Sequence, residues 1–249
     1  MQESDGLFRV HGMEMYWQSR GDGLPLVLLH GFTGSSGDFQ HLFPEPPDGF
    51  RLIEPDLRGH GRSTNPGGEF TFRQCAQDVL ALLDSIGVES FRAIGLSGGG
   101  ITLLHMATLQ PERVERMVLV SAASFFPPSA RALMKQLKEE DQSEEEWQTQ
   151  RARHHHGDEQ IRELWRHGRE MAESYDDVNF TPPLLSTIQA HTLVVHGDQD
   201  PLYPLEQATG LFQAIPEASL WVLPQAGHLP VFGIRERFSE VVLPFLSPD

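Results

Sequence analysis

A hydroxyl, an imidazole and a carboxylate can together make a nucleophile, and this chain holds all three in suggestive places. Ser97 lies in Gly95-Leu96-Ser97-Gly98-Gly99, between the apolar run FRAIGL and the apolar segment ITLLHM. A G-x-S-x-G sequence between a strand and a helix puts its serine on a sharp turn with the hydroxyl raised above the sheet, and the flanking glycines remove side chains that would collide there. A serine capping a glycine-rich helix start has the same local sequence, so the motif needs partners to carry meaning. A serine hydroxyl is a poor nucleophile until a base takes its proton, and the base must itself be held by a third group. His228, in PQAGHLPVF, follows the last strand-like run, and two carboxylates, Asp198 and Asp200 in VVHGDQDPLYP, follow the run before it.

A metal centre is the competing chemistry. RARHHHGDEQ, with His167 beyond it, supplies imidazoles and carboxylates, and His154 and Asp158 have the four-residue spacing of a ligand pair on one helix face. Consecutive histidines on a helix point in different directions, and a serine–histidine–acid relay is complete without a metal, so the expectation is no metal and no cofactor.

These side chains need elements to position them. MEMYWQ alternates like a half-exposed edge strand, whereas PLVLLH, RLIEPD, FRAIGL, RMVLVS, TLVVHG and SLWVLP are short, dense and rich in Val, Leu and Ile. Runs of this kind separated by amphipathic helices predict an α/β fold, a mainly parallel, doubly wound sheet covered on both faces. His30, Asp56, Ser97 and Asp200 fall at or just beyond strand ends, where the loops of such a sheet converge. FTFRQCAQDVLALLDSIG has helical periodicity through Phe72, Cys75, Val79, Leu82 and Ile86, which makes Cys75 a buried core thiol.

One interval is too long for a structureless loop. Between RMVLVS and TLVVHG the segments PSARALMKQLKEED, SEEEWQTQRARHHH and DEQIRELWRHGREMAESY read as helices, the last with Ile161, Leu164, Trp165, Gly168 and Met171 on one stripe. The expected organisation is therefore a core in two parts, residues 1–124 and 191–249, with a helical cap, 125–190, inserted over the carboxyl edge of the sheet. With 35 acidic against 19 basic residues the formal charge is −16, which repels nucleic acid and anionic lipid surfaces. No run of about 18 apolar residues occurs and the first residues lack a basic start, so the protein is expected in the cytoplasm, away from membranes. Oligomeric state has no signature here.

The chain resembles the α/β-hydrolase superfamily in its cap-bearing branch: LLHGFTGSSGDF, DLRGHGRS, GLSGGG, VVHGDQDPLYP and PQAGHLPVF arrive in that family's order, and serine, acid and histidine do too. The resemblance implies Ser97 as nucleophile, His228 as base and then acid, and Asp200 as the orienting carboxylate, since the family's acid is usually the second of a G-D-x-D pair; Asp198 would then close the turn. It implies backbone N–H groups of Phe32 and Gly98 as the oxyanion hole, and supporting roles for His30 and for the loop carrying Asp56, Arg58, His60 and Ser63. A serine at the elbow excludes relatives that open epoxides or cleave carbon–halogen bonds, which need a carboxylate there. LHGFTGSSGDF also looks like the start of the menaquinone-pathway synthases, but those follow the elbow with Met-Gly-Gly-Arg, whereas Gly98, Gly99, Gly100 and Ile101 follow Ser97 here.

What remains is a carboxylic-ester hydrolase acting on small, neutral esters or lactones, with short to medium acyl groups preferred. Carbon–carbon bond hydrolysis, amide or aminopeptidase cleavage and perhydrolysis stand as alternatives on the same residues, as does a catalytically silent ligand-binding protein. Among the aromatics in or beside the cap, Phe125, Phe126, Trp165 and Tyr203 are expected to line the substrate pocket together with Leu229, while Trp147 and Phe180 are further candidates.

Overall fold

Every second residue of a central strand faces the same way, and here both faces are apolar. In β3 (Leu24–Leu29), Val27 and Leu29 join one buried cluster while Leu26 and Leu28 join another on the opposite face. The same division splits Ala93 from Ile94 in β5 (Phe91–Leu96), Leu119 from Val120 in β6 (Val114–Val120), and Val194 from Val195 in β7 (His191–Gly197). A strand apolar on both faces can be stable only with a layer on each side. The computed structural model describes residues 4–248. The expectations for residues 1–3 and 249, including the leading residues of the chain, lie outside the described residues.

With β1 (Ser4–Val10), β2 (Met13–Gly21), β4 (Phe50–Pro55) and β8 (Ala218–Leu223), the strands form one sheet in the order β1-β2-β4-β3-β5-β6-β7-β8. From β4 to β8 all pairings are parallel, and β2 joins β4, and β1 joins β2, antiparallel. The hairpin strand β1 has no counterpart among the sequence-predicted runs; its turn, His11 at φ 42° and Gly12 at φ 78°, is a two-residue connection of the kind that matches strand twist.

Helices α2 (Phe72–Ser85), α3 (Gly98–Leu109) and α8 (Leu205–Ala214) cover one face, and α1 (Phe39–Leu42) and α9 (Arg235–Leu246) the other. Every residue of α3 from Gly98 to Ala107 is buried, which explains why it is apolar all round rather than amphipathic. Cys75 is fully enclosed in α2, and burial pushes its thiol pKa up, which keeps it protonated and unreactive.

Between β6 and β7 run α4 (Pro128–Met134), α5 (Glu144–Arg153), α6 (Asp158–Met171) and α7 (Pro182–Leu185). The expected first helix is cut short: after Met134 the charged residues Glu139–Asp141 form only a 3-10 turn that buries nothing. α5 ends at Arg153, before the histidine triplet, because His154 turns into an extended conformation. α6 buries the stripe of Ile161, Leu164, Trp165, Gly168 and Met171. This segment is tied to the rest by Asp177, whose carboxylate accepts from the N–H groups of Phe72 (2.7 Å) and Arg73 (3.1 Å) at the start of α2, where a helix dipole favours negative charge. No described helix is long and apolar enough to cross a membrane.

Candidate active site

Ser97 occupies the corner between β5 and α3 at φ 49° and ψ −111°, a conformation that a non-glycine residue adopts only when its surroundings force it. The glycines make that corner possible. A Cβ on Gly95 would stand 2.6 Å from the Gly100 Cα, and one on Gly99 would overlap the Leu29 carbonyl, so β5, α3 and the end of β3 could not approach this closely with side chains present.

The loop after β8 brings His228 to the serine. The Ser97 hydroxyl donates to His228 Nε2 at 2.9 Å, and His228 Nδ1–H donates to Asp200 Oδ2 at 2.7 Å. The other oxygen of Asp200 accepts from the amides of Leu202 (2.8 Å) and Tyr203 (3.0 Å). Burial alone would raise the Asp200 pKa, but the hydrogen bond and charge of His228 and these two amides outweigh it and hold the carboxyl below the ordinary value. Asp198 faces elsewhere, accepting from the Ala226 amide at 3.3 Å and so joining the β7 and β8 loops. A residue without a sequence signal also helps: Ser121 Oγ accepts from the amide of Leu229 at 3.2 Å, next to the histidine. A hydroxyl on an imidazole whose far nitrogen meets a carboxylate can pass its proton to the ring while the carboxylate stabilises the resulting charge.

Beside Ser97 runs the loop after β3. A Cβ on Gly31 would lie 3.6 Å from the Ser97 Cβ, and one on Gly98 would lie 3.1 Å from the Phe32 amide nitrogen, so the backbone of Phe32 and the start of α3 flank the hydroxyl. The N–H groups of a helix's first turn have no partner within the helix, which leaves Gly98 a donor for incoming negative charge.

The remaining histidines nearby are spent on backbone. His30 Nδ1–H donates to Gly31 O (2.8 Å) while Nε2 accepts from Leu57 N (2.9 Å); His60 Nδ1–H donates to Arg58 O (2.8 Å) while Nε2 accepts from Thr33 N (3.2 Å). Burial pushes the pKa of both below the ordinary imidazole value. Arg58 makes a two-pronged pair with Asp78 (2.9 and 3.0 Å), Asp56 accepts from Ser36 N and Arg62 N, and Ser63 donates to the Asp56 carbonyl (2.6 Å). These bonds tie the DLRGHGRS loop to the loop after β3 through Ser36 and to α2 through Asp78.

A cavity of about 250 Å³ opens over Ser97, lined by Phe32 and Thr33 from the β3 loop, Phe72, Phe126, Leu133, Met134, Leu137, Gly168, Met171, Leu202, Tyr203 and Leu229, with Gly98 and His228. No Lys or Arg lines it. Burial raises the Tyr203 pKa, so its phenol stays neutral. Phe126, Tyr203 and Leu229 are where the sequence predicts them, but Phe125 and Trp165 are not. Phe125 is 49% exposed, and Trp165 turns away from the cavity to pack edge-on against Trp147, ring centroids 4.6 Å apart. The aliphatic lining from α4 and the residues after it has no chemical signature in the sequence; only Gly168 and Met171 lie on a visible stripe. His154 and Asp158 do not share a site, since His154 is buried against the core and Asp158 pairs with Arg151 at 2.8 Å. Among the described residues no three His, Cys, Asp or Glu side chains gather as a metal centre would require.

Known proteins share this architecture. The chain is 27% identical to the mouse serine hydrolase BPHL over 96% of this chain and 84% of that protein, and 28% identical to a 2-hydroxymuconate semialdehyde hydrolase of Pseudomonas putida over 92% and 89%. Among solved structures, a thermophilic esterase from Thermogutta terrifontis superposes with a TM-score of 0.74 at 26% identity, covering 99% of this chain and 98% of that one. Residues 25–164, more than half of the chain, match the family described by its alpha/beta hydrolase fold, and this protein, with its eight-stranded, mostly parallel sheet, belongs to that family of hydrolases.

Proposed function

We propose that the protein hydrolyses small, uncharged carboxylic esters or lactones through an acyl-enzyme on Ser97. The observation that carries this reading is the unbroken series Ser97, His228, Asp200, opening into a small apolar cavity. Ser97 Oγ attacks the substrate carbonyl as its proton passes to His228 Nε2. The oxyanion that forms is met by the N–H groups of Phe32 and Gly98, each such donor contributing about 3 kcal/mol to the transition state. Collapse breaks the carbon–oxygen bond, and His228 returns the proton to the departing alkoxide. A water molecule then attacks the acyl group with His228 again as base, releasing the acid and restoring Ser97. In a lactone the alcohol remains attached to the acyl chain, and the steps are otherwise the same.

The lining ranks substrates. An anionic substituent would lose its hydration in a cavity without a Lys or Arg to pair with, at a cost of several kcal/mol. A cavity of about 250 Å³ also limits the acyl chain. Residues 125–190 act as the cap, α4 and α6 supplying one wall of the cavity through Leu133, Met134, Gly168 and Met171. The decisive experiment is a panel of soluble esters of increasing acyl length with lactones, amides and vinylogous diketones, run on the wild type and Ser97→Ala. The reading expects short and medium esters or lactones to be fastest and Ser97→Ala to lose turnover. Diketone or amide cleavage faster than every ester would replace it with a rival chemistry, and binding without turnover of any activated ester would leave a ligand-binding protein.

A further inference from the structure

The first histidine of the triplet, His154, bonds to two loops of the core. Thr33, the residue after the Phe32 donor, stands at φ 63°, a left-handed backbone conformation that is unfavourable for a β-branched side chain. It is held from both sides by imidazoles. The Thr33 amide donates to His60 Nε2 at 3.2 Å, and the Thr33 carbonyl accepts from His154 Nε2 at 3.2 Å. His60 belongs to the core; His154 belongs to the cap, at the end of α5.

The protonation pattern of His154 follows from its partners. Nδ1 faces the Gly61 amide at 2.9 Å and must accept, so the single proton of the neutral ring sits on Nε2, between the Thr33 carbonyl and Gln150 Oε1 at 2.9 Å. One cap side chain therefore joins the loop after β3, which runs beside the nucleophile, to the DLRGHGRS loop that follows it in sequence, and the rings of His60 and His154 lie 5.9 Å apart. Other cap-to-core bonds bypass Thr33: Gln160 Nε2 donates to the carbonyls of Gly59 (3.0 Å) and Gly61 (3.1 Å), and the His155 amide to Gly61 O (3.0 Å).

We propose that His154 is a positioning residue for the oxyanion hole: by holding the Thr33 carbonyl it fixes the strained turn and, through it, the direction of the Phe32 N–H. Docking of the cap is then a condition for stabilising the transition state, in addition to shaping the pocket. This rests on the acyl-enzyme reading, in which Phe32 N–H is an oxyanion donor.

Amide side chains separate the two ring nitrogens. Gln at 154 can place a donor where Nε2 stood, towards Thr33, whereas Asn can place an acceptor where Nδ1 stood, towards Gly61, without reaching Thr33. The experiment measures kcat, KM, inhibition by phenylboronic acid, whose tetrahedral adduct mimics the oxyanion, and Tm for wild type, H154Q, H154N and Q160A. The expected result is that H154N lowers kcat and boronate affinity together by about tenfold, part of the ~10²–10³ that a whole oxyanion donor supplies, with KM within about twofold. H154Q should recover most of that loss, and Q160A should lower Tm while leaving kcat and boronate affinity near wild type. If kcat follows Tm across all three variants, or H154N equals wild type, the inference is overturned. Fluorophosphonate labelling of wild-type Ser97 runs alongside: labelling with no H154N effect overturns this inference alone, and no labelling overturns the acyl-enzyme reading and this inference with it.

Discussion

His228 and the trio His30, His60 and His154 lie in adjoining parts of one molecule and are used in opposite ways. His228 has a carboxylate on one nitrogen and a hydroxyl on the other, so a proton arriving from Ser97 would be stabilised by Asp200. Each member of the trio has a backbone amide N–H on one nitrogen and an oxygen, in each case including a backbone carbonyl, on the other. Protonating such a ring turns an acceptor into a donor facing a donor. On the proposed mechanism the partner set, and not the residue type or its nearness to the serine, separates a base from a brace.

The largest expected effect comes from breaking the His228 arrangement. Asp200→Asn should lower kcat by about 10⁴, because the imidazole loses both its orientation and the charge that stabilises it. Asp198→Asn, which removes only a contact between two loops, should cost less than about tenfold in the same steady-state assay. If Asp198→Asn were the more damaging, the assignment of the acid would be reversed.

Two aromatic substitutions extend the contrast to the cap. Trp165 is 2% exposed and packed on Trp147, so Trp165→Ala should lower stability by about 3–5 kcal/mol in chemical denaturation. Phe126 lines the cavity, and Phe126→Ala should shift the acyl-length preference upward by about 1–3 kcal/mol per methylene accommodated, read as ratios of kcat/KM. An altered acyl profile in Trp165→Ala with Phe126→Ala unchanged would exchange their roles.

Smaller still is the pH dependence of stability. Burial pushes the His154 pKa down to about 3 and depresses those of His30 and His60 as well. In the unfolded chain these rings take up protons near pH 6.5, and in the folded protein they resist them. The stability they contribute is therefore complete above about pH 6.5 and is lost as pH falls towards the folded values, by up to about 1.4 kcal/mol per pH unit for each ring. Urea midpoints measured from pH 8 to pH 4 should fall on acidification, less steeply in H154Q. A midpoint that stays level down to pH 4 would mean that the trio accepts protons while folded.

The site was legible where chemistry leaves a local mark. Ser97 needs glycines around a strained turn, and Asp200 and His228 need loops at strand ends; the sequence displays all of these, as it does the dense strands of the parallel sheet. The pocket was legible only in part. Phe125 pairs in an isolated bridge with Asn179, and neighbours on extended backbone point to opposite sides, so the same geometry that turns Phe126 inward turns Phe125 out. Composition cannot say which of two adjacent phenylalanines faces the cavity. Strand β1 escaped because its alternation is weak and only the His11-Gly12 turn marks it. The role proposed for His154 left no local mark, since the backbone groups it bonds, the Gly61 amide and the Thr33 carbonyl, lie 93 and 121 positions away in the sequence.

The central claim, that Ser97 alone is the nucleophile, has a direct measurement. Intact-protein and peptide mass spectrometry after reaction with a fluorophosphonate should show one adduct per chain, located on Ser97, with esterase activity lost in proportion to labelling and no adduct in Ser97→Ala. An adduct on another residue, or undiminished turnover in Ser97→Ala, would contradict the account.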